Sequence, residues 1–227
     1  MKGDERELVV GNGGYASGPV VGEAARRGYK TARHEQKAYP GVANKWLEKE
    51  VGVVFAATES AGESLGRPQK TLVTGNPVRP ELFTQDRDAS RRGINAAGRT
   101  VLLSYGGSLG AMRVNEVVAE LAAWHLQNRD FLHIHATGSI EKDDFARLAH
   151  KMGIEGNPNF EIREYIDNMP ALLAAADLVI SRAGALAVAA RAAVGRASVL
   201  VPSPMWRKTT SIIMRWNWKR PGLPRCL

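Results

Sequence analysis

The sequence predicts an α/β fold, with parallel sheets covered on both faces by helices and arranged in two successive units. Three observations carry this. Short apolar runs alternate with helical segments along the chain. Glycine-rich turns follow several of those runs. A polar, charged stretch over 83–98, with Gln85, Asp86, Arg87, Asp88, Arg91 and Arg92, divides one alternating series from the next. In sheets of this kind ligands bind at the carboxyl ends of the strands, which is where the turns lie.

The first unit, residues 1–82, opens with a short buried strand at Glu7–Val10 and the turn Gly11–Pro19. Val20 to Arg27 has helical periodicity and stops at Gly28, a residue suited to the left-handed end of a helix. Thr31–His34 reads as a weak strand, Val42–Glu48 as a short helix, and Val51–Ala56 and Thr71–Thr74 as strands. After the 83–98 linker the second unit, 99–204, begins with the strand Thr100–Ser104, the turn Gly106–Gly110 and the helix Val114–Trp124. The strand Phe131–His135 and helix Asp143–Met152 follow, then the strand Phe160–Arg163 and helix Met169–Ala175. Leu178–Ile180, the helix Val188–Val194 and the strand Ser198–Val201 complete the alternation.

With 44% apolar residues the chain can build an ordinary core, and no run reaches the ~18 apolar residues of a membrane span. No signal peptide is read at Met1, and the single cysteine, Cys226, excludes an internal disulfide framework. The net charge of +8 resembles a nucleic-acid footprint. Six of those charges, however, lie in residues 205–227 (Arg207, Lys208, Arg215, Lys219, Arg220, Arg225) with no acid among them, which leaves +2 for the rest. Hence no nucleic-acid partner is expected. The same tail holds three of the five tryptophans and follows no period of 2 or 3.6.

Four constellations can carry chemistry. Ser181-Arg-Ala-Gly-Ala-Leu186 follows a strand and opens a helix, so its free backbone N–H groups can converge on an anion such as a diphosphate. The same small residues also serve simply to let a helix pack closely on a sheet. Gly106-Gly-Ser-Leu-Gly110 offers the same approach with the Ser108 hydroxyl added, and is neither a Walker loop nor a G-x-G-x-x-G fingerprint. His34-Glu35-Gln36 could transfer protons or be a solvated strand end, and it lacks the second histidine that a metal site at helical spacing needs. Arg79, in Asn76-Pro-Val-Arg79, could clamp a phosphate or form a surface ion pair. His133 and His135 share one strand face with no evident partner; they read as packed or solvent-facing and are assigned no role.

Taken in order, Gly13-Gly-Tyr-Ala-Ser-Gly-Pro19, His34-Glu-Gln36, Gly75-Asn-Pro-Val-Arg79, Gly106-Gly-Ser-Leu-Gly-Ala111 with Asn115, Tyr165-Ile-Asp-Asn-Met169 and Ser181–Leu186 resemble the MurG family over roughly residues 7–204. These are peptidoglycan glycosyltransferases that move N-acetylglucosamine from UDP-GlcNAc to an undecaprenyl-diphosphate-linked muramyl-pentapeptide. The resemblance implies two Rossmann-like domains of the GT-B type with a cleft between them, both incomplete in this chain. It places the work at the cytoplasmic face of the bacterial plasma membrane, with the undecaprenyl-linked lipid acceptor on the N-terminal side and UDP-GlcNAc on the C-terminal side. Carried over by motif, Arg79 and Ser108 would contact the donor diphosphate, Ile166 would offer backbone groups to the uracil, and Ala185 and Leu186 would lie against sugar and phosphate. Gly13, Gly14 and Tyr15 would line the acceptor side. The reaction inverts the sugar and calls for no cofactor and no metal.

Departures from the family pattern bear on activity. The histidine-bearing first glycine loop is missing, which leaves Glu35 as a weak catalytic candidate. Lys37 stands in place of a sugar-contacting asparagine, and Ala187 and Ala190 in place of a threonine and of the glutamate that holds the ribose hydroxyls. Losing that carboxylate costs on the order of 1.5–3 kcal/mol, roughly ten- to a hundredfold in donor affinity. The sequence also predicts that Met205 onward is the right gene read in the wrong frame. Shifted by one base, codons for Met205–Ser211 can spell Asn-Val-Ala-Glu-Asn-His-Gln, the manner in which the family continues after its Val-Pro-x-Pro. An impaired transferase is expected, or else a nucleotide-sugar binding module without chemistry or a non-functional gene relic.

Overall fold

The computed structural model describes residues 7–13, 16–40, 47, 50–96, 98–128 and 130–201. Gly14, Tyr15, most of the expected helix at 42–48, and the tail from 205 lie outside the described residues. The chain divides into two compact units, with the boundary between Pro77 and Val78.

The first unit is a four-stranded parallel sheet in sequential order, β1 (Leu8–Gly11), β2 (Lys30–Glu35), β3 (Val53–Ala56) and β4 (Thr71–Val73). Helix α1 (Ser17–Arg26) joins β1 to β2 and ends as expected, with Gly28 at φ +80°. The β2 segment, weak on propensity, is held by pairing on both sides, an instance of tertiary context overriding local preference. The expected burial of the first strand differs: β1 is an edge, and Leu8 and Val10 are exposed. A helix not expected from periodicity, α2 (Glu59–Ser64), starts where the Thr58 hydroxyl accepts the Ala61 N–H at 3.2 Å. The small core gathers Val21, Leu47, Val51, Val54 and Leu65.

The second unit is a five-stranded parallel sheet ordered β7-β6-β5-β8-β9: Phe160–Arg163, Phe131–Ala136, Thr100–Tyr105, Leu178–Arg182 and Ala197–Val201. The chain runs outward from β5 to β7, then crosses back to β8 and β9, so its direction of travel reverses between β5 and β8. Helices α4 (Met112–Asn128) and α5 (Lys142–Lys151) bury Val114, Val118, Ala122, Phe145 and Ala149 in one core cluster. Helix α6 (Met169–Ala175) contributes Leu172 and Leu173 to a second cluster, against which Ala187, Ala190 and Val194 of and beside α7 (Ala185–Ala193) pack.

The expected linker at 83–98 is corrected. Helix α3 (Arg87–Gly93), capped by the Asp86 carboxylate, lies against α6, and Leu82 and Ala96 are buried in the second unit's core with Val78 and Ile94 packed on it. Polar composition concealed a docked segment because its charges are used internally. Arg87 and Arg91 both bridge to Asp177, Arg91 Nη1 also donates to Ala175 O at 3.0 Å, and the Val101 N–H donates to Asp177 at 2.8 Å. Burial opposes the Asp177 charge, but those donors and the two guanidinium groups hold its carboxyl below the usual range.

His133 and His135 are packed rather than solvent-facing, and they do have polar partners. His125 Nε2 meets His133 Nδ1 at 2.9 Å, His133 Nε2 meets Ser104 Oγ at 2.8 Å, and Ser104 Oγ meets His135 Nδ1 at 2.8 Å. All four residues are buried, and Phe131, Phe145 and Phe160 contact the rings. At the two ends, His125 Nδ1 and His135 Nε2 find no partner among the described residues. Three neutral rings and one hydroxyl therefore form a chain that has to be polarised in one direction or the other.

Candidate functional site

The carboxyl edge of each sheet gathers the motif residues of that unit. In the first unit, β1 ends at Gly11, and Gly13 takes φ +85° in the following turn. Gln36 Nε2 donates to Asn12 Oδ1 at 2.6 Å, Asn76 Nδ2 donates to Gln36 O at 3.1 Å, and His34 Nε2 lies 3.1 Å from Gly75 O. The turns after β1, β2 and β4 are thus tied together through side-chain amides and one imidazole. Glu35 is 3% exposed and accepts the Lys37 N–H at 3.0 Å, so its carboxylate brackets the strand end rather than facing solvent. Arg33, buried on the same strand face as Glu35, has its pKa lowered by burial, with the Glu35 charge opposing. Gly14 and Tyr15, the other expected acceptor-side residues, lie outside the described residues.

In the second unit the reversal between β5 and β8 brings two small-residue turns side by side, because Tyr105 and Ser181 are register partners at the strand ends. Gly106–Gly110 leaves β5, and Ala183 and Gly184 lead from β8 into α7. The first turn is built backbone against backbone. A Cβ on Gly106 would stand 2.6 Å from Ala111 N, and one on Gly138 (φ +85°) would stand 2.0 Å from Gly110 N. The turn is braced from β6, since Ser139 N–H donates to Ser108 O at 3.1 Å and Asn115 Nδ2 donates to Thr137 O at 3.2 Å. Ser108 is left exposed at the tip.

The second turn enters α7 through Gly184, which offers no side-chain cap. Ala185 is half-buried and Leu186 exposed at that end. Arg182, which motif reasoning passed over, is exposed, and its Nη2 lies 3.4 Å from where a Cβ of Gly107 would be. Ile166 follows β7 with its side chain in the core (4% exposed), so its backbone is the part that can meet a ligand. Arg79 is exposed and precedes a 3-10 turn, Pro80–Phe83, that packs on α6 and α7; it belongs with the second unit, not the first. Ala190 packs on the core and supplies no polar group. Both units thus present amide-rich turns on one sheet edge each, and the second adds Arg79, Arg182 and Ser108 suited to an anion. Among the described residues no group of three or more His, Cys, Asp or Glu could hold a metal, and no helix is long and apolar enough to cross a membrane.

Comparison with known proteins bears on both units. Residues 1–56 match the glycosyltransferase family 28 N-terminal domain, and residues 101–208 match the glycosyltransferase family 28 C-terminal domain. The UDP-N-acetylglucosamine--N-acetylmuramyl-(pentapeptide) pyrophosphoryl-undecaprenol N-acetylglucosamine transferase of Acetivibrio thermocellus is 38% identical over 205 residues, 90% of this chain and 55% of that protein. Its counterpart in Bacillus cytotoxicus is 39% identical over 202 residues, 87% of this chain and 54% of that protein. The chain therefore spans about half the length of the curated relatives it matches. Among solved structures, Acinetobacter baumannii MurG superposes with a TM-score of 0.63 at 28% identity, covering 92% of this chain and 55% of that one. The S. aureus MnaA–UDP co-structure, at 13% identity, shares the fold alone, with a TM-score of 0.68 over 94% of this chain and 61% of that one. With two Rossmann-like sheets of the GT-B type, matched in order by the N-terminal and C-terminal domains of one family, the chain belongs to glycosyltransferase family 28 and is similar, over about half their length, to its MurG-type members.

Proposed function

We propose that the chain carries the donor half of a MurG-type hexosyltransferase, moving N-acetylglucosamine from UDP-GlcNAc to the undecaprenyl-diphosphate-linked muramyl-pentapeptide, with donor affinity and turnover reduced. The observation that supports this best is the pair of small-residue turns at the β5/β8 reversal, a topological switch point, with the exposed Arg182 beside Gly107. As the acceptor hydroxyl attacks the anomeric carbon, negative charge builds on the departing UDP. The turn amides, Ser108, Arg79 and Arg182 are the groups suited to hold that charge without a metal. Ile166 would give the uracil its backbone groups, Ala185 and Leu186 would lie against sugar and phosphate, and Gly13 with Gly14 and Tyr15 would serve the acceptor.

Ala190 leaves the ribose hydroxyls without a carboxylate, Lys37 replaces an amide that would read the sugar, and Glu35 is enclosed at the strand end, where it accepts the Lys37 N–H. Donor binding should therefore outlast transfer. The work would be done peripherally, on the cytoplasmic face of the bacterial membrane where the lipid acceptor resides. Calorimetry with UDP-GlcNAc, paired with a transfer assay on a lipid acceptor analogue, tests the proposal. Weak binding with little transfer is expected. Absence of binding would reject the donor site, and robust turnover would reject the impairment. A second reading, a nucleotide-sugar binding module without chemistry, is favoured by Ala190 and predicts binding with no transfer at all.

A further inference from the structure

Arg191 places a cation in what is otherwise an apolar layer. It lies two turns into α7, is 3% exposed, and shares its helix with Ala187 and Ala190, which pack on the core cluster containing Val101, Leu103, Tyr105 and Val179. Its Nη1 donates to Ser181 Oγ at 2.5 Å and to the Tyr105 hydroxyl at 3.3 Å. Its Nη2 is buried and makes no hydrogen bond among the described residues, and no carboxylate pairs with the guanidinium among them. Arginine stays protonated in proteins, and a buried cation without a counter-charge is costly. Two hydroxyl dipoles satisfy donors but leave the charge in place. That charge bears on one location, because Tyr105 and Ser181 are the register partners whose strands end in the two turns at the β5/β8 reversal.

We propose that Arg191 is a buried electrostatic anchor for the diphosphate of a nucleotide bound at those turns. This rests on the donor-site reading above. Sealed from solvent, the guanidinium acts through its field and through its hold on Tyr105 and Ser181 rather than by touching the ligand, so it is a positioning residue. Its field is weakly screened at that depth, whereas exposed Arg182 answers to salt. The uncompensated charge is met when an anion settles over the turns.

The test uses the full chain and three probes, UDP, uridine and inorganic pyrophosphate, titrated by calorimetry into the unmodified protein, Arg191→Met and Arg191→Lys. In Arg191→Met, UDP and pyrophosphate should bind about tenfold more weakly while uridine is unchanged. Arg191→Lys, which keeps the charge, should stay within about threefold of the unmodified protein. Equal weakening of uridine and UDP would make the role merely structural and overturn the proposal, as would an unchanged UDP affinity in Arg191→Met, which would leave the donor site standing. Should Arg191→Met not fold, loss of the UDP-over-uridine preference in Arg191→Lys overturns the proposal and its retention supports it. Pyrophosphate binding that depends on Arg191, with no gain from uridine, would uphold the anchor and reject the nucleotide reading. Binding of neither UDP nor pyrophosphate would reject both.

Discussion

Acidification should unfold this protein through its buried histidine chain. His135 is sealed against Phe145 and Phe160, and burial, only partly offset by the Ser104 backbone, takes its pKa from 6.5 to about 3. His133 is held well below its ordinary value by burial first and then by its two histidine neighbours. His125 is shifted the same way by burial. These rings are neutral in the folded state, while in the unfolded chain they take up protons below pH ~6.5. Stability is therefore complete above the unfolded pKa and falls as the pH drops toward the folded one. For His135 alone, the difference between 6.5 and about 3 removes about 2 kcal/mol by pH ~5, and His133 adds to the slope in the same direction. Urea unfolding of the full chain at several pH values from ~7.5 to ~5, followed by far-UV circular dichroism, measures this. His135→Phe keeps an aromatic side chain against Phe145 and leaves Ser104 bonded to His133. It should narrow the stability gap across that pH range by about 2 kcal/mol. A gap that does not open in the unmodified chain, or that His135→Phe leaves untouched, would refute the buried neutral chain.

Other substitutions probe separate parts of the argument. Asp177→Ala should cost about 1.5–3 kcal/mol in urea unfolding, because it strips Arg87, Arg91 and the Val101 N–H of their acceptor; the partial exposure of Arg87 keeps the value at the lower end. A loss under ~0.5 kcal/mol would mean that α3 is not held by these bonds. Gly138→Ala should cost more than about 2 kcal/mol and abolish UDP binding, since its Cβ would stand 2.0 Å from Gly110 N at φ +85°; normal binding in a folded variant would show that the 106–110 turn is not part of the site. Ala190→Glu should raise UDP affinity roughly tenfold or more by restoring a charge-assisted partner for the ribose, read by calorimetry against 2′,3′-dideoxy-UDP as the control that should not respond.

The sequence by itself determined the fold class, the order of most strands and helices, and the turns of the second unit. These features are local. Apolar runs of strand length, glycines at positive φ such as Gly28, Gly107 and Gly110, and the alternation of strand and helix leave a direct record in residue order. The motif series also sufficed to find the family. Tertiary structure decided what depends on partners distant in the chain. Residues 83–98 read as a linker because arginines look solvated until Asp177, about ninety positions away, is brought beside Arg87. His133 and His135 had no visible partner because Ser104 and His125 reach them only after β5 and α4 pack against β6. Arg191 was indistinguishable from a surface arginine on an alanine-rich helix until α7 turned it toward Tyr105 and Ser181. In each case a polar side chain met a partner supplied by another strand or helix, and hydropathy along a single chain carries no information about which polar groups will find one another.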